Sequence, residues 1–356
     1  MMRNRLFVDI HCLETVPPCN MNRDDTGAPK TAIYGGVTRA RVSSQAWKKA
    51  VREDFKKVLA NEEIGFRTRK IVGLVKKSIL NIQSDLKPEE AEKKAIKALT
   101  KAGLTIKDSA KGTGAVMLIS QKQADKLAEL ILDKQPDAMF KEALRANPSV
   151  DMALFGRMVA KDPSLNYDAA VQVAHAISTH AITTEFDYFT AVDDLSKEDS
   201  SGAGHVGVRE FNSSTLYRYA SVNVMELYKN LGPQTPEAVV NFIQSFLFSI
   251  PAGMKNSYAN NATPCSVYIA LRDDQPVSMA SAYEQPVPKS ENGYEKESQK
   301  RLVVKAEKLY KSFVKEPYKA YVVGDGLDEL SEPTSIDLAL SDLKAELTEL
   351  LPDQEA

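Results

Sequence analysis

Strand-like alternation occurs at both ends of this chain, while residues 61–181 between them are built of helix-forming segments, and that order constrains the fold more than any other feature. Leu6, Val8, Ile10 and Cys12 alternate with Phe7, Asp9, His11 and Leu13, a period of two that predicts a half-buried strand. The extended VTRARV then leads to Ser43 and Ser44, a helix-capping pair, and to a helix with Trp47, Val51, Phe55 and Val58 on its apolar stripe. In the middle, KPEEAEKKAIKALTKA, QKQADKLAELILDK, DAMFKEALRA, VDMALFGRMVA and LNYDAAVQVAHAIS each read as helix-like. Extended pattern returns in ITTEFDYFTAV and STLYRYASVNV, which flank SKEDSSGAGHVG and predict a long hairpin with a flexible tip. PEAVVNFIQSFLFSI reads as a helix with Pro236 at its first position, and CSVYIAL and YKAYVVG as strands around a helix from about Lys296 to Lys315. The N-terminal strand and helix need partners that only the C-terminal third supplies, so an α+β core with a helical insertion is the economical architecture.

With 356 residues and 43% hydrophobic content the chain can bury a sizeable core, and its net charge of −2 argues against coating nucleic acid by bulk charge. Any anion site must then be a local patch. Cys12, Cys19 and Cys265 are too scattered for a disulfide framework or a metal-binding pair, which points to a reducing, cytoplasmic setting. The N-terminal apolar run is broken by Asp9 and His11, so it does not read as a signal peptide, and no run is long enough to suggest a membrane span.

The local asymmetry lies between Thr26 and Arg52, where no acidic residue occurs among Lys30, Arg39, Arg41, Lys48, Lys49 and Arg52. A helix N-terminus exposes unpaired N–H groups, so Ser43, Ser44 and Gln45, with Lys48 and Arg52 one and two turns on, can form a phosphate seat. Helical spacing puts Ser44, Lys48 and Arg52 on one face and Trp47, Val51 and Phe55 on another. The alternative is a capped amphipathic helix whose basic face is merely solvated.

Other motifs are weaker. Asp24 and Asp25 in NRDD could hold magnesium for phosphodiester hydrolysis, but adjacent loop carboxylates more often cap turns, and no third acid accompanies them. GAGHVG satisfies a dinucleotide-binding pattern only literally, lacking the preceding strand and following helix. His11, His175, His180 and His205 form no metal set by spacing, so no cofactor is expected. In FDYFTAVDD, Phe186, Tyr188 and Phe189 fall within four residues of an apparent strand; alternation buries either Phe186 and Tyr188 or Phe189, leaving an aromatic free to stack on a base.

Taken in order, NRDD, AIYGG, RVSSQ followed by KK, FGRM, AHAISTH, FTAVDD and SMASAYEQPV resemble the CasC family, the repeated backbone subunit of the type I-E CRISPR surveillance complex, Cascade. The resemblance implies an α+β fold: an RRM-like (ferredoxin-like) palm in residues 1–60 and 216–356, an inserted helical fingers lobe in 61–181, and a β-hairpin thumb in 182–215. It implies copies stacked along a guide crRNA beside other Cascade subunits, with guide bases left free to pair with target DNA; no membrane partner is expected, since no apolar run is long enough. By residue, it implies RNA-backbone contacts at Arg23, Lys30, Ser43, Gln45, Lys48 and either Lys49 or Arg52. Met158 would pack on a base near a kink, and Phe189 and Thr190 would wedge at the displaced base, leaving Phe186 and Tyr188 as thumb packing. Type I-E members are not nucleases, so no turnover is expected; the alternative is a magnesium-dependent ribonuclease using Asp24 or Asp25, as in related type III subunits.

Overall fold

The computed structural model describes residues 5–108, 112–159, 161–191 and 205–352. Strand β1 (Phe7–Cys19) leads to the hairpin β2 (Thr31–Tyr34) and β3 (Val37–Val42), then to helix α1 (Ser44–Val58). The next segment holds β4 (Phe66–Thr68), α2 (Ile71–Ile82), α3 (Pro88–Lys101), β5 (Ile106–Asp108), β6 (Gly112–Thr113), β7 (Met117–Ile119), α4 (Gln121–Leu132), α5 (Asp137–Arg145) and the short α6 (Val150–Phe155). β8 (Val171–Val173), β9 (Ala176–Ser178), β10 (Glu185–Ala191) and the long β11 (His205–Asn223) follow. The remainder is α7 (Val224–Leu231), α8 (Thr235–Phe248), the one-turn α9 (Lys255–Tyr258), β12 (Ser266–Arg272), α10 (Glu295–Ser312), β13 (Lys319–Gly324) and α11 (Ile336–Leu350).

These elements make a mixed α+β molecule around a nine-stranded antiparallel sheet of order β13-β12-β1-β11-β9-β3-β2, with β8 and β10 also paired along β11. β1 lies between β11 (Phe7 opposite Asn223) and β12 (Phe7 opposite Arg272), so its partners come from the C-terminal half of the chain. Val8, Ile10 and Cys12 enter a core shared with α1, α8 and α11. The opposite face, carrying His11 and Leu13, packs on Tyr217, Tyr219 and Tyr268 beneath Met279, Tyr283 and α10. The expected half-buried strand is therefore buried on both faces. Its polar residues are tolerated because they are hydrogen-bonded: Tyr219 Oη and Val277 N donate to Asp9, and His11 Nδ1 lies 2.8 Å from Tyr217 Oη.

A second core, from Ile71 to Leu165, is built by α2, α3, α4 and α5. Two expectations fail here and beyond. LNYDAAVQVAHAIS is not a helix: it supplies β8 and β9, which satisfy backbone groups along the far edge of β11. The partner of FDYFTA is not STLYRYASVNV but residues 205–211, the first part of the 19-residue β11, whose remainder crosses the centre of the sheet. The expected flexible tip lies in residues 192–204, outside the described residues. Among the described residues, no helix is long and apolar enough to cross a membrane.

Candidate functional site

The site is built around the N-terminus of α1. Ser43 is its N-cap and its hydroxyl accepts from Ala46 N, while Ser43 N donates to Asn22 Oδ1 at 2.8 Å. Asn22 thus pins the loop after β1 against the helix start. Ser43 is buried, so its O–H is the only polar function it has left to offer. The first turn contains no acidic residue, and the amides of Ser44 and Gln45, as the first two of the helix, have no acceptor within it. On the inner side Trp47, Val51 and Phe55 are buried. The buried Arg218 guanidinium, paired with Glu14, stacks on Trp47 at 3.7 Å and on Phe246 at 4.6 Å, fixing the helix to the sheet.

The cations of the acid-free run divide into two groups. Arg39 is fully buried and donates to the carbonyls of Tyr34, Ser178, Tyr283 and Glu284, so it is a staple between chain segments. Arg41 donates to Thr31 O and lies 3.2 Å from His175 Nδ1; burial first, then Arg41 and Lys30, lowers the His175 pKa. Arg52 departs from its expected role as a phosphate ligand: its Nε meets Asp151 at 2.8 Å and its Nη2 donates to Gly65 O, so most of its charge is already balanced. Arg23, Lys30, Lys48 and Lys49 form no ion pair among the described residues. Lys48 leans over the Phe155 ring at 5.9 Å, and burial lowers its pKa. Gln45 and Lys49 are exposed, making the outer ridge of α1 one residue round from the face that includes Ser44 and Lys48.

That ridge separates two clefts. The first, of about 670 Å³, is lined by Gln45, Lys48, Lys49, Arg67, Phe155 and Met158, among others. The second, of about 760 Å³, takes Arg23, Ser43, Gln45, Lys49, Ser249 and Lys255. The FGRM sequence explains Met158. Gly156 ends α6 at φ +79°, a region that a side chain rarely enters. Arg157 is then buried and donates to the carbonyls of Leu144 and Leu165 and to Gln123 Oε1. With no carboxylate partner among the described residues, it has its pKa lowered by burial to about 10. With Arg157 anchored, Met158 projects into the cleft mouth, 80% exposed.

Phe189 and Thr190 sit on β10, away from both clefts. Phe189 is half-buried, lying over Gly207 with Arg209 4.5 Å from its ring; a Cβ at position 207 would come within 2.4 Å of it. Thr190 is exposed. Phe186 and Tyr188, expected as packing, are instead exposed at 68% and 66%, because among the described residues β10 with the start of β11 is a two-stranded ribbon with no layer beneath that face.

Asp24 is a turn residue: its Oδ1 accepts from the Thr26 hydroxyl (2.7 Å), Thr26 N and Ala28 N, and these bonds lower its pKa. Among the described residues no group of three or more His, Cys, Asp or Glu is placed to hold a metal ion. Sequence reasoning missed Asn22, Arg67, Ser249 and Lys255. Only the single-letter preference of Asn for caps hinted at the first, and the other three are brought to α1 by tertiary packing alone.

Residues 8–351 match the family described as CT1975-like protein. No curated protein sequence matches the chain. Among solved structures it is similar to a chain of a "CRISPR RNA-guided surveillance complex, pre-nicking", with 33% identity and a TM-score of 0.82 over 95% of this chain and 100% of that one. A chain of a second "CRISPR RNA-guided surveillance complex" is 30% identical, with a TM-score of 0.63 over 94% of this chain and 99% of the other.

Proposed function

Since the chain belongs to the CT1975-like protein family, we propose that it is a non-catalytic, crRNA-binding backbone subunit of a CRISPR surveillance complex, of type I-E. Copies stack along the guide with other Cascade subunits, in the cytoplasm, and present guide bases to target DNA. In this reading the sheet with α1 is an RRM-like palm, the core from Ile71 to Leu165 the fingers, and the ribbon of β10 with β11 the thumb. The observation that carries it is the acid-free start of α1, where two open amides meet Lys48, Lys49 and Arg23, none of them ion-paired among the described residues. Fixed N–H groups and mobile ammonium groups together suit phosphate oxygens and read no base.

In this reading Asp24 shapes the loop after β1, its Oδ1 accepting from Thr26 and Ala28. Replacing Lys48 and Lys49 by Ala is expected to weaken single-stranded RNA binding whatever the sequence, and to flatten the log–log salt slope by about 0.7 for each phosphate that is no longer neutralised. Unchanged affinity and slope would remove the phosphate seat. Incubation of the complex with complementary RNA and magnesium is expected to give no cleavage; cleavage abolished by Asp24→Ala with Asp25→Ala would establish the ribonuclease instead.

A further inference from the structure

Where the ribbon leaves the sheet, the strand pairing along β11 is interrupted. Ser178 of β9 still lies opposite Leu216, and Glu185 of β10 lies opposite Phe211, so residues 179–184 on one leg face residues 212–215 on the other. Two hydrogen bonds cross that gap. Thr179 N donates to Thr215 O at 2.8 Å, and Thr215 N donates to His180 Nε2 at 3.1 Å. The imidazole thus stands where a strand carbonyl would, and it closes the ladder at the root of the ribbon.

His180 is 4% exposed, and its ring stacks on Tyr294, with centroids 3.5 Å apart and planes 7° apart. Because Nε2 accepts, the proton of the neutral ring is on Nδ1, which donates to Ala181 O at 2.9 Å. The leg that carries the ring is itself pinned: Thr179 O accepts from Val287 N, Thr179 Oγ1 lies 2.9 Å from Ser298 Oγ of α10, and Ile182 N donates to Thr38 O. β11 is therefore docked through His180 onto a fixed frame. A protonated ring would aim an N–H at the Thr215 N–H, with the Arg39 guanidinium of β3 close by at Ser178 O. Burial first, and then Arg39, lowers the His180 pKa against the opposing bond to Ala181 O. The carboxylates of the adjoining elements are turned elsewhere: Glu295 of α10 accepts from Thr15 Oγ1 at 3.2 Å, and Glu284 and Glu185 are exposed.

We infer that His180 is a positioning residue: its neutral imidazole latches β11 to the frame of β9 and α10, and so fixes how the ribbon of β10 with β11 leaves the sheet. Loss of the acceptor, by substitution or by protonation, frees the root of the ribbon while the sheet stays folded. The inference concerns the fold alone and goes beyond the RNA-binding reading, since the latch holds whatever the ribbon touches.

The test is amide hydrogen exchange of the intact chain, corrected for intrinsic rates, between about pH 7.5 and about pH 5. Peptides from 185–191 and 205–215 are compared with a control peptide from β12. The root of the ribbon is expected to exchange up to about tenfold faster for each pH unit below about 6.5, because the released ring takes up a proton and the latched ring does not. His180→Phe keeps an aromatic ring for Tyr294 but offers no acceptor, and is expected to exchange about tenfold faster across the range. His180→Gln offers an acceptor that does not titrate, and is expected to stay protected and to lose the pH dependence. The latch is overturned if the Phe variant exchanges no faster than the original chain, if the Gln variant exchanges as fast as the Phe variant, or if β12 is accelerated as much as the ribbon. A flat pH profile for the original chain overturns it as well.

Discussion

At the scale of single residues, the same side-chain type does opposite work according to its surroundings. Arg39 and Arg157 are buried and hold backbone carbonyls, whereas Arg23 and Lys49 stand exposed at the clefts. Nothing in VTRARV or FGRM distinguishes a structural arginine from a binding one, because the acceptors of Arg157 are carbonyls at positions 144 and 165. Arg157→Ala would leave those carbonyls and Gln123 without their donor and open a void beneath Met158. The expected loss is about 2–4 kcal/mol, read as a lowered urea midpoint for the intact chain with an unchanged m-value. Met158→Ala removes an 80% exposed side chain and is expected to leave that midpoint within about 0.5 kcal/mol of the original.

At the scale of elements, α1 was the most legible part of the site. Its cap, its acid-free first turn and its apolar stripe depend on residues three and four apart; the cap and first turn are seen in the structure, and the stripe holds at Trp47, Val51 and Phe55 but not at Val58, which is exposed at the end of the helix. β1 was legible as a strand but not as a doubly buried one, since the layer over its second face comes from residues 277–283 and α10. That burial has a titration signature. Desolvation raises the Asp9 carboxyl to about 6 and lowers the His11 imidazole to about 3. Between about pH 4 and pH 6 the folded chain holds a proton on Asp9 and none on His11, while the unfolded chain holds the reverse, so the two contributions to the pH slope cancel. His11→Gln leaves only the Asp9 contribution, which is stabilising below the unfolded pKa and lost as pH rises through the folded one. Stability of that variant is expected to fall by about 3 kcal/mol between about pH 4 and pH 7, seen in urea midpoints measured across that range. A flat profile would mean that Asp9 is ionised in the folded chain.

At the scale of the whole molecule, Asp151 on α6 joins α1 to the chain entering β4, accepting from Arg52 Nε, Gly65 N and Ser149 Oγ. Asp151→Ala is expected to cost about 3 kcal/mol, because it leaves a guanidinium and a buried amide without their acceptor. Trp47, the one tryptophan, lies on α1 and reports the unfolding by fluorescence. RNA binding should persist in the folded fraction, since Arg52 is released rather than removed. The sequence by itself determined what is local: the helix start, its cap, most of its apolar stripe, the supply of cations, and the extended character of FDYFTA, though not the strand it pairs with. These follow from propensities and periodicities that act over a few residues. Only the tertiary structure decided which of those cations remain available and what stands opposite them. Arg52 meets its carboxylate 99 positions away, and Lys255 and Arg67 reach α1 from distant parts of the chain. Charge balance in a folded protein is set by distance in space, on which a one-dimensional pattern carries no information.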